Sequence, residues 1–419
     1  MRAKKLLAAA ALSLAAGAAH AQQDLRTADE IVRGDTVLSR PRPDYDPVGI
    51  RLGSFFLYPD ATLGETWNSN IYATPSGEKR DFITSVTPRL ALKSNWNNHA
   101  LNFAADSTVM RYARYHSESF TDYTVAADGR LDIRSDARLF AAGGYKIRHE
   151  PRSSPNNLGG TEPTEYQDTS ALLAAEKDFN RLSFRLESAF DAYRYFDVLN
   201  ASGQTIDESL RDRNDTVVTF RGGYELAPLR QVYALGAYNW RKYLSSTDMF
   251  GYDRTSDGYQ LAIGAHYDLT GLVFADVFLG YRRQTYDDPR LRPVDGPTAG
   301  VKLTWNVTAL TTLTGNLSRE IEETVLANSS AYFATRASIR ADHELLRDVL
   351  LNARIGYEND KFEGIGRKDN YYEAGLGATW LINRNFSLAG GYNYRTRDSN
   401  QPGTNFDENV VFVRLKAQL

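Results

Sequence analysis

Hydrophobic and polar residues alternate along most of this chain, and the alternation is cleanest between Asp81 and Ala105. One face runs Phe82, Thr84, Val86, Pro88, Leu90 and Leu92, ending at Trp96, while the other runs Ser85, Thr87, Arg89, Ala91, Lys93 and Asn95. A period of two with one apolar and one charged face is the pattern of a half-buried strand. Asn97-Asn98-His99 makes a tight polar turn. The alternation then resumes, with Leu101, Phe103, Ala105, Ser107 and Val109 facing away from Asn102, Ala104, Asp106 and Thr108. This predicts a hairpin whose arms are well over the usual strand length of about 5–6 residues.

The same unit recurs to the last residue. Tyr123, Val125, Ala127 and Leu131 oppose Asp128, Arg130 and Asp132, and Leu139, Ala141 and Tyr145 oppose Arg138 and Lys146. Leu186 and Phe190 oppose Arg185, Glu187 and Asp191, and Val218, Phe220 and Tyr224 oppose Arg221 and Glu225. Val277, Leu279 and Tyr281 face away from Asp276 and Arg282, and Leu303 and Trp305 from Lys302. Phe333, Ala337 and Ile339 oppose Arg336 and Arg340, and Ile355 and Tyr357 oppose Arg354 and Glu358. The last strand sets Val411, Val413, Leu415, Ala417 and Leu419 against Phe412, Arg414, Lys416 and Gln418.

The connections are of two kinds, and they alternate. Short turns fall at 97–99, 134–136, 178–180, 227–230, 269–271, 308–310, 344–348 and 383–385. Longer stretches, richer in Pro, Gly, Asn and Asp, fall at 73–80, 116–119, 151–164, 197–213, 246–252, 289–294, 325–329, 363–367 and 399–404. Short turns at one end and long loops at the other are the arrangement of an outer-membrane barrel. The predicted fold is therefore all-β: a single closed antiparallel transmembrane barrel of about 18 strands, within a range of 16–18, with short periplasmic turns and longer extracellular loops. A soluble sandwich fits poorly, since its strands would be too long and its core unusually rich in Gly and Ala.

The ends of the chain agree. Residues 1–21 carry Arg2, Lys4 and Lys5, an apolar run from Leu6 to Ala16, and Ala19-His20-Ala21, which predicts a secretory signal cleaved before Gln22. Residues 22–48, with Pro41, Pro43 and Pro47, read as a polar periplasmic arm without a core of its own, and residues 49–419 as the barrel. Both termini are expected at the periplasmic end. A chain ending within an apolar-faced strand suits recognition by barrel-assembly machinery, which is one expected partner. Outer-membrane lipid and lipopolysaccharide are the others that the fold implies.

Composition narrows the function. The chain has 419 residues, of which 42% are hydrophobic, and a mean hydropathy of −0.46, which excludes a helical membrane protein. Without the signal, 46 Lys and Arg face 52 Asp and Glu, a net charge of −6 that argues against a nucleic-acid partner. Cysteine is absent, so there is no disulfide framework, thiolate metal site or lipidation cysteine. His99, His116, His149, His266 and His343 are scattered and belong to no catalytic or metal motif, so neither an enzyme nor a cofactor is expected.

A barrel of this size leaves a lumen too wide for side chains to fill. Charge on its inner face is tolerable only if that lumen holds water. The expected pore-lining, substrate-contacting cations are Arg89, Lys93, Arg130, Arg185, Arg221, Arg282, Lys302, Arg336, Arg340, Arg354, Arg395, Arg397, Arg414 and Lys416, with Arg138 beside them. Acids share the face, but bases outnumber them there. The pattern is read two ways: a conduit for anionic or polyhydroxylated solutes, or salt-bridge ladders that stiffen a wide barrel. Loops 151–164 and 197–213 are the longest, and either can fold inward as a constriction or stay outside.

The opening segment carries more specific features: Gly-x-x-x-Gly-Ser-Phe-x-x-Tyr-Pro at Gly49–Pro59, Asn-Ile-Tyr at Asn70–Tyr72, and Ser-Asn-Trp-x-x-His at Ser94–His99. It resembles the second putative β-barrel porin family, Gram-negative outer-membrane barrels often encoded with exopolysaccharide clusters. The resemblance implies a channel through which an exopolysaccharide, an acidic one given the lumen cations, leaves the cell. Periplasmic polysaccharide-export components are then candidate partners. It supplies no catalytic residue. The alternatives are a general or anion-selective diffusion porin and a plugged structural or adhesive barrel. N-terminal sequencing of the membrane-inserted protein is expected to begin at Gln22; a start at Met1 would contradict the signal assignment.

Overall fold

The computed structural model describes residues 34–269 and 271–419, so the expected signal and residues 22–33 of the arm lie outside the described residues. A three-residue strand, β1 (Ile50–Leu52), opens the sheet. The long strands of the first part are β2 (Phe55–Asn68), β3 (Asp81–Ser94), β4 (Ala100–Tyr112), β5 (Phe120–Arg134), β6 (Ala137–His149), β7 (Glu165–Phe179) and β8 (Leu182–Tyr195). Two-residue strands β9 (Val198–Leu199) and β10 (Thr205–Ile206) pair within the next loop. There follow β11 (Arg213–Ala227), β12 (Arg230–Tyr243), β13 (Ser256–Asp268), β14 (Val273–Tyr286), β15 (Val294–Thr308) and β16 (Thr311–Glu323). The last are β17 (Ala331–Leu346), β18 (Val349–Phe362), β19 (Lys368–Leu381), β20 (Phe386–Ser399) and β21 (Phe406–Gln418).

Each of the 18 long strands pairs antiparallel with its sequence neighbour, and β21 returns to β2 with Leu63 opposite Leu415. The sheet therefore closes and has no free edge. Closure satisfies every ladder amide within the protein, which lipid cannot do. The expected strand count, pairing and alternation of short and long connections all hold. At the start of the barrel, Gly53, with φ +63°, folds β1 back on β2 so that Leu52 sits opposite Phe55.

The apolar face points outward. Leu173, Ile263, Leu279 and Leu376 are 66%, 71%, 62% and 64% exposed, values that a water-soluble sheet would not tolerate in one continuous band. Exposed Trp240, Trp305, Trp380, Tyr238 and Tyr281 belong to the same outer face, where amphipathic rings suit the lipid–water boundary. Buried side chains instead collect toward the long-loop end. Tyr332, Ala334 and Phe362 form one cluster, and Tyr286, Leu291, Val294, Ile321, Ala331 and Phe333 another. Loops 244–255 and 324–330 interlock above them. Buried Arg254 donates to the carbonyls of Ser329 at 2.9 Å and Leu326 at 3.0 Å, and pairs with Asp248 at 2.6 Å.

The arm is fastened to the barrel. Residues 34–48 do not hang free but lie inside the short-turn mouth, with Val37 only 1% exposed. The Val37 amide donates to Thr312 Oγ1 at 3.0 Å, and Asn306 Nδ2 donates to the Asp35 carbonyl at 2.9 Å. Glu344 accepts Arg42 at 2.9 Å and Arg40 at 3.5 Å. The segment then reaches the last strands, where Arg384 donates to the Pro43 carbonyl at 2.7 Å and Gln418 to the Tyr45 carbonyl at 3.1 Å. Its prolines suit this role, since a segment with few free amides can cross a mouth without a ladder partner. The arm is a strap running from the β15–β17 wall to β20 and β21.

Two outcomes follow from this architecture. Leu279→Arg, at the middle of the outer face, should destabilise the barrel in lipid by about 2–4 kcal/mol, read as a shift in denaturant unfolding from vesicles. Because the chain has no native cysteine, the pair Val37→Cys and Thr312→Cys should form a disulfide on mild oxidation; failure to cross-link would place the arm elsewhere.

Candidate functional site in the barrel lumen

The strand registers put all fourteen predicted cations on the face opposite the exposed apolar band. Seven of them meet carboxylates. Arg130 pairs with Asp132 at 3.0 Å, Arg185 with Glu187 at 2.7 Å, and Arg340 with Asp342 at 2.8 Å. Arg336 bridges Glu322 at 3.0 Å and Glu358 at 2.9 Å. Arg354 and Arg395 share Glu373 at 3.3 Å and 3.4 Å, and Lys416 reaches Asp60 at 3.7 Å. Arg138, predicted beside them, pairs with Glu176 at 2.6 Å. Among the described residues the other seven, Arg89, Lys93, Arg221, Arg282, Lys302, Arg397 and Arg414, have no carboxylate within 4.0 Å. Of these, Arg221 lies over the Tyr233 ring at 3.6 Å, and Arg282 donates to Gln260 at 3.1 Å. Five of the seven (Arg89, Lys93, Arg221, Lys302 and Arg414) sit in the half of their strands nearer the short turns.

Loop 150–164 turns into the lumen. It leaves the wall between β6 and β7, and its middle meets strands nearly opposite. The Ser153 carbonyl accepts from Arg397 at 3.1 Å, and Ser153 Oγ accepts from Arg395 at 3.0 Å. Asn156 Nδ2 donates to the Glu323 carbonyl at 3.2 Å, while its Oδ1 accepts from the Val325 amide at 3.1 Å. Near its root, Arg152 pairs with the buried Glu118 at 2.6 Å and lies over the Tyr72 ring at 5.7 Å.

Loop 196–212 does not cross but braces the first loop. Arg211 pairs with Glu150 at 2.9 Å and Glu208 at 2.8 Å. Burial lowers its pKa, but Glu150 and Tyr195 outweigh burial and hold it above the ordinary arginine value. Gly160 lets the two loops touch, because a Cβ there would lie 2.5 Å from a Val198 methyl.

Beside the crossing loop lies a cavity of about 490 Å³, and beneath it one of about 320 Å³. The larger is lined by five guanidinium groups, Arg211, Arg213, Arg221, Arg241 and Arg282, and by six carboxylates, Glu187, Asp191, Asp215, Glu320, Glu322 and Glu323. The expected excess of base over acid therefore does not hold at this level. Arg241 accounts for part of the difference, since it is held between Asp215 at 3.2 Å and Glu323. Tyrosines stand among these charges: Tyr166, Tyr193, Tyr195, Tyr332 and Tyr371 all line the smaller cavity.

The predicted lumen set names charged residues only, so none of these tyrosines is in it by position. Parity would have found them. Tyr193 and Tyr195 continue the inward series of Glu187 and Asp191, Tyr332 that of Arg336, and Tyr371 that of Glu373. The loop contacts leave no comparable signal, because they join residues more than 160 positions apart.

A closed 18-stranded barrel with a charged interior and an inward loop is the architecture of a porin. The sequence pattern of one family, described as "Putative beta-barrel porin 2", matches residues 42–419. The chain belongs to that family. It is thus an outer-membrane β-barrel with a porin-like channel. None of the curated proteins matches the chain. Among solved structures it is similar to Pseudomonas aeruginosa OpdK crystallised with vanillate, at 12% identity and TM-score 0.47, covering 87% of this chain and 99% of that one. P. aeruginosa OccK2 (OpdF) in complex with glucuronate gives 12% identity and TM-score 0.47, covering 88% and 99%. P. aeruginosa OpdO gives 14% and 0.46, covering 88% and 98%.

In this barrel, internal ion pairs brace the inner wall, and the crossing loop takes up part of the lumen beside the cavity lined by the five guanidinium groups. Removing the loop's anchors tests that geometry. Arg397→Ala with Asn156→Ala deletes most of the far-side bonds, leaving the one from Arg395 to Ser153 Oγ, and each bond to the guanidinium is worth about 1.5–3 kcal/mol. The double variant should show a larger single-channel conductance and new protease cleavage within 150–164; an unchanged conductance would mean the loop does not limit the path.

Proposed function

We propose that this barrel carries an exopolysaccharide, an acidic one, across the outer membrane. The observation that supports the reading best is the uneven placement of uncompensated lumen cations. Arg89, Lys93, Arg221, Lys302 and Arg414 have no carboxylate contact among the described residues and lie toward the short-turn, periplasmic half. An anionic chain arriving from the periplasm meets cations that no carboxylate holds within 4.0 Å, although Asp60, Asp106 and Asp276 stand across the ladder from two of them, and the mixed, tyrosine-lined level after that. Weak contact at many points suits a polymer that must both enter and leave. Tyrosine rings and hydroxyls, rather than deep charge pockets, supply that kind of contact. On this reading the arm at the periplasmic mouth faces the polysaccharide-export components that deliver the chain.

One observation favours a second reading, a diffusion porin for small solutes. The loop fastened across the lumen by Arg395, Arg397 and Asn156 leaves a restricted passage. The two readings part in the cell. Deleting the gene should abolish surface and secreted polysaccharide or trap it in the periplasm, and restoring it should recover output. Unchanged output would sink the export reading and leave the diffusion porin. In planar bilayers, Arg89→Gln, Lys93→Gln and Arg414→Gln together should lower the chloride-over-potassium permeability ratio; no change would remove the role given to these cations.

A further inference from the structure

We propose that the smaller cavity beneath loop 150–164 is a subsite for an uncharged sugar ring, with Asp360 as the acceptor of its hydroxyl hydrogens. The inference rests on the saccharide reading above and specifies what that path recognises. Asp360 is 2% exposed and lines the cavity, yet its Oδ1 has no hydrogen-bond donor among the described residues. Buried polar atoms are nearly always satisfied, and one facing a cavity is a ready partner for whatever enters.

Its neighbours are already committed. Arg336 is held between Glu322 and Glu358, and Arg395 is tied to Glu373 and to Ser153 of the loop. Asp360 has no ion pair and no hydrogen-bond donor among the described residues. The rest of the wall offers flat apolar faces. Tyr332 is stacked on Phe362 with ring centroids 4.7 Å apart, and Tyr166 on Tyr195 at 5.4 Å, with Arg211 over the Tyr195 ring at 4.0 Å, so the rings are held in place. Tyr371 adds a third ring, its hydroxyl fixed by a bond from Arg397 at 3.3 Å.

Rigid aromatic faces with a single inward acceptor suit a ring that is apolar on its C–H faces and hydroxylated at its edge. A volume of about 320 Å³ is at the small end of ligand pockets and fits one or two such rings. Charge decides which kind of ring. Glu150, Glu358 and Asp360 line the cavity against Arg336 and Arg395, so a carboxylated residue is disfavoured there. A uronate belongs instead beside the uncompensated cations, such as Arg221 and Lys302. The geometry thus points to a polymer in which neutral residues alternate or mix with acidic ones.

The test uses the full-length protein in planar bilayers, with a neutral oligoglucoside and an oligogalacturonate as probes. The neutral probe should interrupt the current of the native channel. Asp360→Ala and Tyr371→Ala should each shorten those interruptions about tenfold, the scale of one lost charge-assisted hydrogen bond or stacking face. Asp360→Asn, which keeps an acceptor, should retain part of the effect, and heat-modifiable mobility of each variant in detergent gels verifies a folded barrel. Interruptions by the neutral probe that survive both alanine variants unaltered would overturn the subsite while leaving the conduit reading intact. Interruptions by the oligogalacturonate alone would also overturn it, and would favour a purely anionic track. A native channel that neither probe interrupts would remove the saccharide reading itself.

Discussion

The hydrocarbon of a membrane offers no hydrogen-bond partner to a peptide group, and everything else in this structure depends on that constraint. A sheet placed there has to satisfy its own edges, and it does so only by returning to its first strand, as β21 does to β2. Closure at 18 strands then creates an interior too wide to be packed with side chains. The period of two divides the residues of every strand between a lipid face and a water face. Leu279 and Arg282, on the same strand, live in opposite solvents for this reason alone.

A wet, charged interior raises a second problem, since a wide barrel needs stiffening and a passage needs narrowing. The inner wall meets both needs with the same groups. Arg336 bridges strands through Glu322 and Glu358, while Arg395 binds Glu373 on the neighbouring strand and the loop at Ser153. Half of the cations expected to meet solute are in this way occupied with structure. The remainder lies mostly toward the short-turn half, where inward acids such as Asp106 and Asp276 stand across the ladder from Arg89 and Lys302. At the loop level, carboxylates and guanidiniums nearly balance, and tyrosine becomes the distinguishing residue type. Loop 150–164 and the arm close on the lumen from its two ends, and each is held by a few long-range bonds rather than by a packed core.

The barrel was legible in the sequence because its cause is local. Alternation over 13–16 residues, repeated between turns of two kinds, reports a sheet with two different faces wherever it occurs. Strand number, hairpin order, the lipid band and the inward direction of all fourteen cations follow from parity, and so did the lumen tyrosines, had parity been read before residue type. The family resemblance in the first strands is local in the same sense.

Tertiary structure decided what parity cannot reach. Whether a lumen arginine is free or paired depends on its neighbours across the ladder and on strand ends, so Arg221 and Arg185, directly opposite each other, have different fates. Whether loop 150–164 lies outside or crosses the lumen is set by Arg397 and Glu323, which lie far from it in sequence. The arm's polar, proline-rich composition gave no sign of the seat for Val37 between β15 and β17, because that seat exists only once the wall has closed. A period-two pattern specifies which solvent a side chain faces. Which partner it meets there is a property of the closed barrel, where residues hundreds of positions apart come within hydrogen-bond reach.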